Sequence, residues 1–288
     1  MGQMKKVLIL GCKGMAGHVI KTYLESLETY DIWGLARDVK HENNIINLDV
    51  SNTKELEYII NKGSFEVVIN CIGLLNNTAE NNPELAVWFN SYFPQLLSAF
   101  GKKYNFKLIH ISTDCVFSGN EGGYKEYSFK NGIGFYAQSK ALGEVINTKD
   151  LTFRTSIIGP ELNENGIGLF HWFMSQNDEV FGYSEAYWSG VTTIELAKGI
   201  NESIKQDLTG LYHFVNNNKI SKFELLNLIN RVFDKNILIG ENSNYSSNKS
   251  LINTRDDFNF TVLTYQEMIE EMKMWIIHNN HFYKNNYK

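Results

Sequence analysis

Short apolar runs alternate with longer amphipathic stretches through the first half of the chain. Residues 7–10 (VLIL) are uniformly apolar. Behind them, over 15–27, Val19, Ile20, Tyr23, Leu24 and Leu27 recur at helical spacing. The same pattern predicts strands over 30–36, 44–48, 66–72, 107–112 and 151–157. Helices are expected over 53–61, from Pro83 to about 103, and over 135–147. Short apolar strands each followed by a helix are what a parallel sheet covered on both faces requires. Right-handed crossovers then give a doubly wound α/β sheet.

The second half is less regular. Thr192 and Glu195 have capping-box spacing and predict a helix over 193–206, and Ser221 with Glu224 opens another. A strand is expected over 211–215 and a last helix over 265–278. The Asn/Ser-rich stretch 242–250 reads as a mobile loop.

Composition narrows the function classes. Apolar residues make up 43% and charged residues 20% of 288, which suits a soluble chain with a sizeable core. A net charge of -5, with Lys and Arg dispersed, leaves no basic surface for nucleic acid. The cysteines are Cys12, Cys71 and Cys115, with no CxxC pair. That usage fits a reducing cytoplasm and offers neither a disulfide framework nor a metal site. No apolar run approaches the ~20 residues of a membrane span, so a cytoplasmic protein without a membrane partner is expected.

Three segments carry candidate chemistry. Gly11, Gly14 and Gly17 stand at G-x-x-G-x-x-G spacing between the first strand and the first helix. Such a turn lets backbone approach a pyrophosphate at a helix N-terminus, the Rossmann arrangement. Tyr136 and Lys140 stand at i and i+4, on one helix face. A neighbouring ammonium favours the phenolate and makes tyrosine usable as a general acid or base. Between these lies Ser112-Thr113-Asp114-Cys115 at the end of the fifth strand, where doubly wound sheets face their ligand. Taken singly, each segment also reads as a plain turn, a surface helix pair or a self-capped loop.

In combination, the glycine turn, STDCVFSG and YAQSK resemble the extended short-chain dehydrogenases/reductases, and within them the dTDP-4-dehydrorhamnose reductase branch. The likeness continues through Phe153-Arg154-Thr155, Trp188-Ser189-Gly190 and Lys249-Ser250-Leu251. It implies a dinucleotide-binding domain over 1–158 and 190–216, with a smaller substrate cap over 159–189 and 217–288 interleaved. It also implies Thr113, Tyr136 and Lys140 as the catalytic set, with NADPH rather than NADH as cofactor. Cofactor contacts would come from Gly11, Lys13, Gly14, Met15, Gly17, Arg37, Asp49, Val50, Cys71 and Gly73, together with Tyr136 and Lys140. Arg37, at the end of the second strand, would face the 2′-phosphate. Substrate contacts would come from Thr113, Asp114, Cys115, Arg154 and Trp188, while Glu144 reads as a solvated face.

The implied reaction is reduction of the 4-keto group of a nucleotide-linked 4-keto-6-deoxy sugar for surface-polysaccharide synthesis; a homodimer is compatible with it. Position 115 departs from the branch, which usually has Tyr there, and this makes UDP-linked N-acetylhexosamines equal candidates with dTDP-4-dehydrorhamnose. Two other readings stay open on the same scaffold: a nucleotide-sugar epimerase or dehydratase, and a non-enzymatic regulatory subunit resembling that of methionine adenosyltransferase.

Overall fold

The computed structural model describes residues 4–40, 44–283 and 287. Seven strands form one all-parallel sheet: β1 (Lys5–Leu10), β2 (Tyr30–Ala36), β3 (Ile45–Asn47), β4 (Val67–Asn70), β5 (Lys107–Thr113), β6 (Leu151–Thr155) and, later in the chain, β10 (Gly210–His213). Their order is β10-β6-β5-β4-β1-β2-β3, so the direction of progression reverses between β1 and β4. That reversal opens a crevice at the carboxyl ends of the strands.

The sheet is legible because both faces are buried. Val7 and Ile9 pack on one side with α1 (Met15–Ser26) and α8 (Thr193–Lys205). Leu8 and Leu10 pack on the other with α2 (Thr53–Gly63) and α5 (Phe93–Tyr104). Two short helices, α3 (Asn76–Asn81) and α4 (Pro83–Ala86), precede a π-helical turn over Val87–Tyr92 that runs into α5. The π turn has a local cause. Pro94 has no N–H to donate back to the Asn90 carbonyl. The backbone of Gly143 in α6 (Phe135–Gly143) lies against that carbonyl instead, so closely that a Cβ there would come within 1.7 Å of it.

Outside the main sheet, β7 (Ile157–Ile158) pairs with β9 (Val191–Thr192). The region expected to form a cap holds α7 (Leu169–Ser175), β8 (Val180–Trp188), β11 (Ile220–Ser221), α9 (Lys222–Val232) and β12 (Ile239–Asn248), and α10 (Tyr265–His278) packs against α8 and α9. Thr192 caps α8 as its spacing predicts, and complete capping boxes start α9 and α10.

Several sequence expectations change here. The Asn/Ser-rich stretch 242–250 is largely an edge strand, β12, paired parallel to β8 with a bulge between Asn242 and Ser246. Its side chains are mostly solvent-facing, so polarity there reflects an edge position rather than a loop. The expected helix over 135–147 stops at Gly143, because Glu144 turns extended and inward. The strand expected over 151–157 divides into β6 and β7. No helix among the described residues is long and apolar enough to cross a membrane.

Candidate active site

The glycine turn follows β1 directly. Gly11 has φ +76°, and a Cβ on Gly17 would come within 2.1 Å of the Gly11 carbonyl oxygen. Both positions therefore need glycine, one for conformation and one for close approach. Gly14 is the N-cap of α1 and no side chain caps that helix, so its first-turn amides face the crevice. His18, one turn on, is hydrogen-bonded to the Gly14 carbonyl (2.8 Å) and to the Tyr283 hydroxyl (3.1 Å), and burial pulls its pKa down to about 4.

A cavity of about 530 Å³ runs from this turn across the ends of β2 and β4. Gly11, Lys13, Gly14, Arg37, Asp49, Val50 and Gly73 line it, all of them sequence candidates. Arg37 is 72% exposed at one end, its guanidinium 3.9 Å from the Asp49 carboxylate. Hydrogen bonds from Ser51 are the main reason Asp49 stays below the usual carboxylate range, with Arg37 adding to them. Met15, Gly17 and Cys71 do not line the cavity. Gly17 packs on Gly11, the end of the Met15 side chain lies against Gly168, and burial pushes the Cys71 thiol up. Leu74, Thr78 and Phe89 are walls that the sequence did not announce.

The reactive groups meet where α6 crosses the end of β5. The Thr113 hydroxyl accepts from the Cys115 amide (3.1 Å), donates to Asp114 Oδ1 (3.1 Å) and lies near the Tyr136 phenol, whose pKa it lowers against the effect of burial. Burial raises the Tyr136 pKa above its ordinary value, and Cys115 and Asp114 nearby add to the effect. Lys140, one turn later and 5% exposed, donates from Nζ to the Ile111 carbonyl at 2.7 Å. Burial lowers its pKa to about 8. A Cβ on Gly73 would lie 3.8 Å from this ammonium, so Lys140 sits where the cavity meets the catalytic loop.

Two positioning residues escaped the sequence reading. Asn90, fully buried in the π turn, brackets Leu74 by accepting from its amide (2.8 Å) and donating to its carbonyl (2.9 Å). It also donates to Ser139 Oγ (3.1 Å). Asn90 thus ties the loop after β4 to the helix carrying Tyr136 and Lys140. Glu80 accepts from the Phe135 and Tyr136 amides, at 3.0 and 3.1 Å, and caps α6 where Gly134 has no side chain to do so. For Asn90 a signal existed: a lone Asn among apolar residues, four positions before a proline.

Three expectations are corrected. Arg154 is not placed as a substrate contact, being 1% exposed. Its Nε and Nη2 donate to the two Glu144 carboxylate oxygens at 2.7 Å each, its Nη1 reaches His213 Nε2 at 2.7 Å, and its guanidinium lies over Phe117. Glu144 is no solvated residue, since it also accepts from Ser112 Oγ (2.8 Å) and Lys130 Nζ (3.1 Å). Burial works against its carboxylate, but Arg154, Lys130 and Ser112 together hold it below the usual range. Trp188, 2% exposed, is wedged beside Tyr265 with ring centres 5.8 Å apart, and is a packing residue. Asp114, within the same loop, is buried and accepts from Thr113, whereas Cys115 is half-buried beside Tyr136, with Lys249 Nζ 3.6 Å from its sulfur.

A seven-stranded Rossmann sheet with Thr113, Tyr136 and Lys140 converging at its crevice is the arrangement of an extended short-chain dehydrogenase/reductase. The family described as the RmlD substrate binding domain matches residues 4–246, and the chain belongs to it, an RmlD-like branch of NAD(P)-dependent oxidoreductases. A dTDP-4-dehydrorhamnose reductase of Aggregatibacter actinomycetemcomitans is 27% identical over 237 residues, 77% of this chain and 76% of the relative. Among solved structures, a hypothetical dTDP-4-dehydrorhamnose reductase from Sulfolobus tokodaii superimposes with a TM-score of 0.77. It is 26% identical, and the match covers 90% of this chain and 98% of that one. A dTDP-4-dehydrorhamnose reductase from Bacillus anthracis in complex with NADP gives a TM-score of 0.80 at 21% identity, covering 95% and 100%, and shares the fold.

Proposed function

We propose that this protein uses NADPH to reduce the 4-keto group of a nucleotide-linked 4-keto-6-deoxy sugar. The observation that carries the reading is that Thr113 and Tyr136 lie close together, with Lys140 beside Gly73, a wall of the cavity that the glycine turn also lines. The uncapped α1 N-terminus and the backbone approach at Gly11 and Gly17 suit a pyrophosphate. NADPH, when bound there, supplies the hydride. Thr113 hydrogen-bonds the substrate carbonyl, Tyr136 donates its phenolic proton to the oxygen as charge develops, and Lys140 favours the resulting phenolate. Met15, Gly17 and Cys71 support the cofactor turn and the loop after β4 from behind rather than lining the cavity.

Arg37, exposed at the cavity's end, supports NADPH over NADH, because an Arg–phosphate pair is charge-assisted. Arg37→Ala should weaken NADPH binding about tenfold or more while leaving NADH binding unchanged. Equal affinity of the unmodified protein for the two nucleotides would remove Arg37 from this role.

The sugar reading turns on Cys115, which faces the reacting phenol with a side chain much smaller than Tyr. The extra space suits a 2-acetamido group. A UDP-linked 4-keto-6-deoxy-N-acetylhexosamine should then be reduced at least as efficiently as dTDP-4-dehydrorhamnose. The test is kcat/KM for a panel of dTDP- and UDP-linked 4-keto-6-deoxy sugars, followed by NADPH absorbance and repeated with Cys115→Tyr. A wide margin for the neutral dTDP sugar in the unmodified protein overturns the steric argument. Turnover without net NADPH consumption would instead mark an epimerase or dehydratase.

A further inference from the structure

Two ammonium groups from separate parts of the cap converge on the catalytic loop. Lys222 opens α9 directly behind the Ser221–Glu224 capping box, with Nζ 5.2 Å from the Trp188 ring centre and facing Asp114 and Cys115. Lys249 follows β12, and its Nζ reaches to 3.6 Å from Cys115 Sγ. The backbone around Lys249 is pinned to the loop beyond the catalytic residues. The Asn248 amide donates to the Gly119 carbonyl (2.6 Å) and the Tyr124 amide to the Ser250 carbonyl (3.0 Å). The Lys249 stem crosses Gly119 so closely that a Cβ there would come within 2.9 Å of Lys249 Cγ.

Neither ammonium is ion-paired with a carboxylate among the described residues. The nearby Asp114 carboxylate attracts Lys222 but already accepts from Thr113, and Lys222 is half-buried, with desolvation lowering its pKa to about 8. Two ammonium groups that share a single nearby carboxylate leave a net positive charge beside the loop, which an entering anion would offset. Geometry indicates which anion. Thr113 and Cys115 are two residues apart, a span of at most roughly 7 Å, comparable to a hexose ring. In a pyranose, C4 and C1 lie on opposite sides of the ring. A ketone at Thr113 and Tyr136 therefore leaves the substituent on C1 about a ring's width away, within reach of lysine side chains that extend over the same loop.

We propose that Lys222 and Lys249 form a cap-borne clamp for the diphosphate that joins nucleoside to sugar in the substrate. The clamp rests on the reading of a nucleotide-linked substrate. It also explains why the cap is stitched to the catalytic loop at Gly119 and Tyr124: the two charges must be held at a fixed distance from the proton donor.

The test is calorimetric binding of dTDP and UDP, which carry the diphosphate but no sugar, to the NADPH-loaded protein. Lys222→Met and Lys249→Met should each weaken the preferred nucleoside diphosphate about tenfold or more, and the double variant further still. Lys222→Arg should retain most of the affinity, and the nucleoside monophosphates should change less. NADPH affinity serves as the control for folding and should stay constant throughout. Nucleoside diphosphate binding equal to that of the unmodified protein in both Met variants overturns the clamp alone. An unmodified protein that binds NADPH but neither dTDP nor UDP overturns the nucleotide-sugar reading, and the clamp with it.

Discussion

Tyr136→Phe should lower turnover by roughly 10²–10⁴, the range expected for loss of a positioned general acid. The substitution keeps the ring in its place at the second residue of α6 and removes only the transferable proton. Glu80 still caps the helix through the 135 and 136 amides, because those contacts are to backbone. NADPH affinity should therefore change little. The pH dependence of the unmodified protein carries the same mechanism. Burial keeps the Tyr136 phenol protonated, the form needed to donate in the reductive direction. Burial also draws Lys140 down to about 8, so its charge is present below that pH and lost above it. The reductive kcat/KM should be flat through neutrality and fall as pH rises past about 8, with Lys140 no longer favouring charge on the tyrosine oxygen. A Phe variant with near-normal kcat on a verified substrate would remove Tyr136 from the mechanism. A profile that rises through pH 8 would show that the protonated lysine is not the active form.

The main sheet could be read from sequence because its central strands, such as β1 and β4, are buried on both faces and so are largely apolar. The cap could not. In β8 the inward positions are Val180, Gly182, Ala186 and Trp188, while Phe181 and Tyr183 face solvent. The usual correspondence of aromatic with buried fails at Phe181 and Tyr183, although Trp188 keeps to it. In β12 an edge position tolerates Asn and Ser, which at the level of sequence look like a loop. The site divides in the same way. Tyr136 and Lys140 are one turn apart on one helix, a relation that local spacing encodes, and Thr113 ends an obvious strand. Asn90 and Glu80 act across 49 and 55–56 residues, and no local pattern records such contacts. Lys222 and Lys249 reach the catalytic loop only because the cap folds back over it. Arg154 misled for a related reason. A lone arginine in an apolar strand looks available for function until its partners, 10 and 59 residues away, come into view.

Arg154→Met should cost about 3–5 kcal/mol of stability, because it leaves the Glu144 carboxylate buried without its main counter-charge. Both members of the pair are withdrawn from solvent, with side-chain exposures of 1% and 0%. The arrangement leaves no water to replace the lost guanidinium. Lys130 remains at 3.1 Å but is itself partly exposed, makes a single contact with Glu144 and also donates to the Ala141 carbonyl, so it offsets only part of the loss. His213 is affected as well. Burial, reinforced by the Arg154 charge, lowers its pKa to about 4, so its ring is neutral. Nε2 accepts from Arg154 Nη1, and Nδ1 donates to the Ile252 carbonyl at 3.0 Å. Without Arg154 that nitrogen loses its donor, and the tie between β6, β10 and the segment after β12 loosens. Adding Glu144→Gln should recover much of the stability, since a neutral amide no longer demands a counter-charge. Urea unfolding of the two single variants and the double variant measures this coupling directly. The same proteins separate the structural role from a substrate contact. An Arg154 that touched substrate would raise KM with stability intact. The buried network requires the opposite: a large loss of stability, with KM for the sugar nearly constant at temperatures where the variant remains folded.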